Sequence, residues 1–100
     1  MINFKGIYTP IVTPFDENEE ISYDYFNHNL DKWGQSNLDG IVVLGSNGEF
    51  VYLSEQEKLD VIRFVKRHFI SSKNIIVGTY CESTKATIEL SKKAADCGAD

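Results

Sequence analysis

Ile41-Val42-Val43-Leu44-Gly45-Ser46-Asn47-Gly48-Glu49-Phe50 is the stretch that decides the fold. Its first four residues form a continuous, mostly β-branched apolar run, too short for a buried helix, which predicts a strand covered on both faces as in a parallel sheet. The polar, glycine-bounded residues that follow then stand at the C-terminal end of a parallel strand, where α/β folds place their ligands. Gly45 and Gly48 allow a sharp turn and close approach of backbone to a ligand, while Ser46 and Asn47 offer a hydroxyl, an amide and their own N–H groups. The loop contains no Arg or Lys, so it suits a small anionic or carbonyl group and not a triphosphate. Its G-x-x-G spacing matches neither the dinucleotide fingerprint nor the P-loop, and an ordinary strand-to-helix turn would have the same composition.

Outward from this loop the pattern is strand, then helix, three times. On the N-terminal side Gly6 to Val12 predicts a first strand, with Pro10 near its end, where a missing N–H is tolerated. Thr13-Pro14-Phe15 leads into an acidic loop, Asp16 to Glu20, without strand signal. Ser22 caps a helix running to about Gln35, whose Phe26, Leu30 and Trp33 recur at helical spacing. The second strand, Gly40 to Leu44, delivers the glycine loop, and about ten residues pass before the next helix, where about 2–6 are usual. Ser54-Glu55-Gln56-Glu57 is a capping box, and Val61, Ile62, Val65 and Phe69 form the buried stripe behind it. Ile75-Ile76-Val77 predicts a third strand ending in Gly78-Thr79-Tyr80, again a glycine followed by a hydroxyl. Ser83 caps a third helix with Thr87, Leu90, Ala94 and Cys97 on one face, and Gly98 sits where a C-terminal glycine belongs.

The strands begin near residues 6, 40 and 75, a repeat of about 35 residues per βα unit. Three such units cannot close a barrel, and residues 1–100 read as the N-terminal βαβαβα portion of a single larger α/β domain that continues beyond Asp100. A (β/α)8 TIM barrel of about 250 residues is the expected parent, because a doubly wound sheet would carry a phosphate-binding glycine loop after its first strand.

Composition narrows the function classes. With 42% apolar and 25% charged residues the chain is ordinary for a globular domain, and a net charge of −5 argues against nucleic acid or an anionic membrane as partner. The N-terminus lacks the apolar core of a signal peptide, so a cytoplasmic location is expected. Cys81 and Cys97 have no metal-ligand spacing, and His28 and His68 fall within helices away from any ligand set, so no metal site is expected.

With Pro10-Ile11-Val12-Thr13-Pro14-Phe15 after the first strand, Gly45-Ser46-Asn47-Gly48-Glu49 after the second, Gly78-Thr79 after the third and Leu53-Ser54-x-x-Glu57 at the helix start, the chain resembles the dihydrodipicolinate synthase/N-acetylneuraminate lyase family over its whole length. The resemblance implies a TIM barrel and class I aldolase chemistry. A lysine on the sixth strand forms a Schiff base with pyruvate, a tyrosine from the fifth-strand region relays protons, and no cofactor takes part. Both of those residues would lie beyond Asp100. On this resemblance Ser46 is the catalytic hydroxyl that relays a proton to the tyrosine, and Asn47 is the second carboxylate-binding position. Gly45, Gly48 and Pro10 complete the substrate-binding set.

The implied partners are pyruvate or another 2-keto acid, an aldehyde, and further copies of the chain in a dimer or tetramer, for which the apolar run Phe50-Val51-Tyr52-Leu53 is the candidate contact. In that family synthases commonly carry two threonines at these positions and N-acetylneuraminate lyases serine-threonine; Ser-Asn with Pro10 is closer to the 4-hydroxy-2-oxoglutarate and sugar-acid aldolase branches, and all of these activities are alternatives within the resemblance. Glu49 reads as structural, its carboxylate tying the N–H groups of the turn, in preference to a general base. Two readings of other classes stand beside the aldolase: a phosphate- or nucleotide-binding α/β module using the same loop, and a non-catalytic interaction domain.

Overall fold

The structure, a computed structural model, describes residues 2–100. The chain runs β1 (Tyr8–Pro10), α1 (Tyr23–Gly34), β2 (Gly40–Val43), two short 3-10 turns (Ser46–Gly48 and Phe50–Tyr52), α2 (Glu55–His68), β3 (Asn74–Val77) and α3 (Thr84–Cys97). The strands form one sheet in the order β1-β2-β3 and both pairs are parallel, with Tyr8 opposite Gly40 and Gly40 opposite Asn74. Consecutive parallel strands laid side by side without reversal of order are how a barrel sheet grows. A doubly wound sheet instead reverses at its switch point.

The local reasons for each helix are those written in the sequence. Ser22 Oγ accepts from the Tyr25 amide, and Ser83 Oγ accepts from Ala86 at 3.0 Å. At α2 the capping box is complete: Ser54 Oγ accepts from the Glu57 amide at 3.1 Å while the Glu57 carboxylate accepts from the Ser54 amide at 2.9 Å. Such a cap contributes about 0.5–2 kcal/mol and fixes the first residue of the helix. Lys66, Arg67 and His68 occupy its last turn, against the negative end of the helix dipole. Gly98 ends α3 in the left-handed conformation, at φ 113°.

The core lies between one face of the sheet and the helices. Ile41, Val43 and Ile75 point into it from the strands and meet Phe26, Leu30, Val61, Ile62, Val65, Leu90 and Ala94. Val42 and Ile76 alternate to the other face and are half-buried. Cover on both faces was expected for β2. Among the described residues it is found on the helix face, because the opposite face of three strands has no layer of its own here.

β2 stops at Val43, one residue short of the expected Leu44, β3 starts one residue early at Asn74, and two further segments depart from expectation. β1 is shorter than Gly6–Val12: Gly6 has φ 129° and the Ile7 amide donates to the Asp39 carboxylate, so the ladder starts only at Tyr8. The acidic loop is more ordered than its sequence suggested. Phe15 and Ile21 form an antiparallel bridge, and Asp16 Oδ1 accepts from the amides of Asn18 and Glu20 across the turn.

Candidate functional site

The ends of all three strands meet around the glycine loop. Beyond the last β2–β3 pair, the Gly78 amide donates to the Val43 carbonyl at 2.8 Å, and the Ile11 amide donates to Val42 at 3.0 Å. Thr13, just past β1, is buried and lies under Gly48: a Cβ built on that glycine would stand 3.3 Å from the Ile11 carbonyl oxygen and 3.4 Å from the Thr13 hydroxyl. The close approach at Gly48 is thus to the chain's own residues after β1, whereas approach to a ligand was what its sequence suggested. Pro10, exposed, ends β1 in register with Val42.

The turn itself is built differently from the expectation that its glycines would supply the sharp bend. Gly45 has φ −79° and an ordinary extended backbone, whereas the left-handed residues are Leu44 at φ 60° and Glu49 at φ 56°, one on each side of Gly45–Gly48. For residues with a Cβ this conformation costs about 1–2 kcal/mol each, so the flanks of the loop are held by their surroundings. At Leu44 that surrounding is the core, where its side chain is only 2% exposed.

Within the turn the Gly48 amide donates to Gly45 and the Glu49 amide to Ser46, at 3.0 and 3.1 Å. The three preceding amides, of Gly45, Ser46 and Asn47, donate to no backbone carbonyl among the described residues. The side chains of Ser46 and Asn47 are exposed and have no hydrogen-bond partner among the described residues. Five neutral donors thus sit on one short segment, with no cation in it. The Glu49 carboxylate does not tie the turn as expected: the Gly45 and Ser46 carbonyls take the Gly48 and Glu49 amides, and Glu49 is exposed. It lines a cleft of about 390 Å³ with Phe15, Asp16, Glu19 and Tyr52, none of them among the predicted site residues.

The glycine-hydroxyl pair after β3 has a different role. Thr79 Oγ1 lies 2.8 Å from Ser91 Oγ, and so is bonded to α3 and not aimed at the loop. Gly78 beside it matters through space: its Cβ would fall 2.5 Å from the Leu44 carbonyl oxygen. Neither this contact nor the left-handed Leu44 has a sequence signal, since the leucine reads only as the last apolar residue of a strand.

Next to the loop, Phe50 is half-buried, edge-on to Tyr80 with centroids 5.9 Å apart, and Lys58 Nζ stands 5.5 Å from its ring centre. Of the apolar run Phe50 to Leu53, Val51 and Tyr52 are exposed, at 67% and 78%. Leu53, expected on the contact surface, is instead buried in the core, because the second 3-10 turn rotates it inward ahead of the Ser54 cap. Among the described residues no helix is long and apolar enough to cross a membrane.

Comparison with known proteins places this geometry. A 4-hydroxy-tetrahydrodipicolinate synthase of Oceanobacillus iheyensis is 36% identical over 99 residues, covering 99% of this chain and 34% of that protein. Dihydrodipicolinate synthase from Bacillus anthracis superposes with a TM-score of 0.93 at 35% identity, over 100% of this chain and 34% of its own. The chloride-inhibited dihydrodipicolinate synthase from Acinetobacter baumannii, solved with pyruvate, superposes with a TM-score of 0.90 at 33% identity, over 98% of this chain and 34% of its own. The chain thus spans about a third of the length of the relatives it matches, and its three βα units are those of their TIM barrels. The model of the dihydrodipicolinate synthetase family matches residues 3–100, and the chain belongs to that family.

Proposed function

We propose that this chain is the N-terminal portion of a (β/α)8-barrel aldolase whose Gly45–Gly48 turn holds the carboxylate of pyruvate while a lysine beyond Asp100 forms a Schiff base with its keto group. The observation that carries this reading is the set of unengaged donors at the C-terminal end of β2: the amides of Gly45, Ser46 and Asn47 together with the Ser46 hydroxyl and the Asn47 carboxamide. A carboxylate bound there would receive charge-assisted hydrogen bonds from neutral groups. Neutral donors also suit the chemistry. An arginine beside the site would compete with the imine cation for the carboxylate and would add positive charge near a lysine that must be deprotonated to attack. Ser46 then relays a proton during imine and carbon–carbon bond chemistry, Asn47 positions the carboxylate, and Pro10 forms the adjacent wall from β1.

The reaction so supported is a dihydrodipicolinate synthase-like condensation or release of pyruvate with an aldehyde. Support comes from the family membership and from the pyruvate complex of the Acinetobacter relative. The Ser46-Asn47 pair favours a second reading within the same chemistry, a 4-hydroxy-2-oxoglutarate or sugar-acid aldolase, because paired threonines are what synthases commonly carry. The exposed Val51 and Tyr52 support a homo-oligomer, and the free thiols of Cys81 and Cys97 suit a cytoplasmic location.

Borohydride reduction of the full-length protein in the presence of pyruvate tests this. A covalent adduct on a lysine downstream of Asp100 is expected, detected by intact mass and peptide mapping. Absence of an adduct with every 2-keto acid tried removes the aldolase reading and leaves a phosphate-binding module as the better account.

A further inference from the structure

We propose that Leu44 and Gly78 together aim the pyruvate-binding turn: Leu44 is a positioning residue locked in a left-handed backbone, and Gly78 is the space that lets its peptide group sit there. The proposal rests on the aldolase reading of the Gly45–Gly48 turn.

Three observations support it. Leu44 immediately precedes the turn and has φ 60°, a conformation that a bulky residue avoids unless its surroundings impose it. Its side chain is almost wholly buried in the cluster that includes Ile11, Ile41, Val43 and Leu53, so the side chain cannot follow the backbone to an ordinary φ without leaving the core. On the other side, Gly78 presents a bare α-carbon to the Leu44–Gly45 peptide. A Cβ there would lie 2.5 Å from the Leu44 oxygen, 3.1 Å from its carbonyl carbon and 3.4 Å from the Gly45 nitrogen, all of them backbone atoms with no flexible end to move away. The Gly78 amide is meanwhile bound to Val43, which fixes β3 against the residue before Leu44.

The consequence concerns direction. The peptide pinned between Leu44 and Gly78 carries the Gly45 N–H, the first of the unengaged donors, and the chain leaves it directly into Ser46 and Asn47. A relaxed Leu44 would rotate that peptide and redirect the donors that follow it, away from the carboxylate they are proposed to hold. Binding would then have to restore the turn each time, lowering apparent affinity by the fraction of molecules in the competent state. The glycine after β3 and the leucine before the β2 turn thus serve the turn without touching its ligand.

The test uses substitutions whose effects on packing and on backbone preference run in opposite directions. Leu44→Val keeps most of the apolar volume but opposes a left-handed backbone, and Leu44→Gly loses the volume but accepts that backbone freely. In the full-length protein, the pyruvate concentration giving half-maximal borohydride trapping is measured beside the melting temperature. Leu44→Val is expected to raise the half-saturating concentration about tenfold while trapping at saturation stays complete, because the lysine is untouched. Leu44→Gly, although melting lower, is expected to stay within about threefold of the unsubstituted protein. Gly78→Ala should resemble Leu44→Val. Affinity that simply follows melting temperature, with Leu44→Gly the weakest binder, overturns the proposal. If Leu44→Gly does not fold, an unchanged half-saturating concentration in Leu44→Val overturns it alone. No adduct in the unsubstituted protein overturns the aldolase reading instead, and this proposal with it.

Discussion

Gly48 faces the Ile11 carbonyl so closely that a methyl group on its α-carbon would stand 3.3 Å from the oxygen. This contact joins the loop after β2 to the end of β1, and it is tight without being prohibitive. Gly48→Ala should therefore fold, with the turn displaced by a few tenths of an ångström away from Ile11 and Thr13. The expected effect is a rise in half-saturating pyruvate of about 3–10-fold with a small loss of thermal stability. Isothermal titration or trapping as a function of pyruvate checks it, and a larger stability loss with unchanged binding would show that Gly48 serves packing alone.

Ser46 and Asn47 should separate in their kinetics. If Asn47 holds the pyruvate carboxylate as proposed, Asn47→Ala removes one hydrogen bond to a charged group, worth about 1.5–3 kcal/mol, and should raise the pyruvate requirement about ten- to hundredfold with turnover at saturation much less changed. On the proposed reading Ser46→Ala removes a proton relay needed in the transition state, so turnover should fall by about 10² or more while pyruvate binding is nearly kept. Steady-state kinetics together with trapping distinguishes the two. Equal and small effects would reduce the loop to a turn.

Val51 and Tyr52 stand exposed beside the half-buried Phe50, an arrangement that subunit contact would cover. Tyr52→Asp in the full-length protein should lower its sedimentation coefficient at micromolar concentration by introducing a charge into that contact. An unchanged assembly, or a monomeric unsubstituted protein, would place the contact elsewhere or remove it.

The 100-residue chain by itself should not fold as an independent monomer. Its three-stranded sheet has two open edges, and the face carrying Val42 and Ile76 has no covering layer among the described residues. Circular dichroism should show a non-cooperative thermal transition, and sedimentation should show association. A cooperative melt from a monomer would contradict the reading of residues 1–100 as part of a larger barrel.

Tyr23 offers a check on the outer layer. Burial, and then the nearby carboxylates of Asp60 and Glu57, hold its hydroxyl above the usual tyrosine range. The folded state therefore keeps this proton to higher pH than the unfolded state, and stability should fall as pH rises above about 10, toward the raised value. Tyr23→Phe should flatten that alkaline decline in denaturant titrations of the full-length protein. A decline of the same slope in both proteins would assign it to other groups.

What the sequence determined by itself is everything that short-range physics decides. Ser22, Ser54 and Ser83 start helices because a side-chain oxygen reaches an amide three residues on, and Gly98 stops one because it accepts a left-handed backbone. The apolar runs at Ile41 and Ile75 become strands for similarly local reasons, and their repeat implies a parallel sheet. The position of Ser46 and Asn47 at a strand end followed from that pattern. Only the tertiary structure decided how the turn is held. The left-handed bend falls on Leu44 and Glu49 and not on the glycines, because a buried leucine and a neighbouring strand impose what no local preference would choose. Thr79 turns to Ser91, and Leu53 turns inward, for the same reason: their partners come from elements distant in sequence. Gly78 is needed where it stands because the Leu44 carbonyl, 34 positions earlier by residue number (78 − 44), arrives against its α-carbon. Such contacts are set by how strands and helices pack, and a chain read residue by residue carries no mark of them.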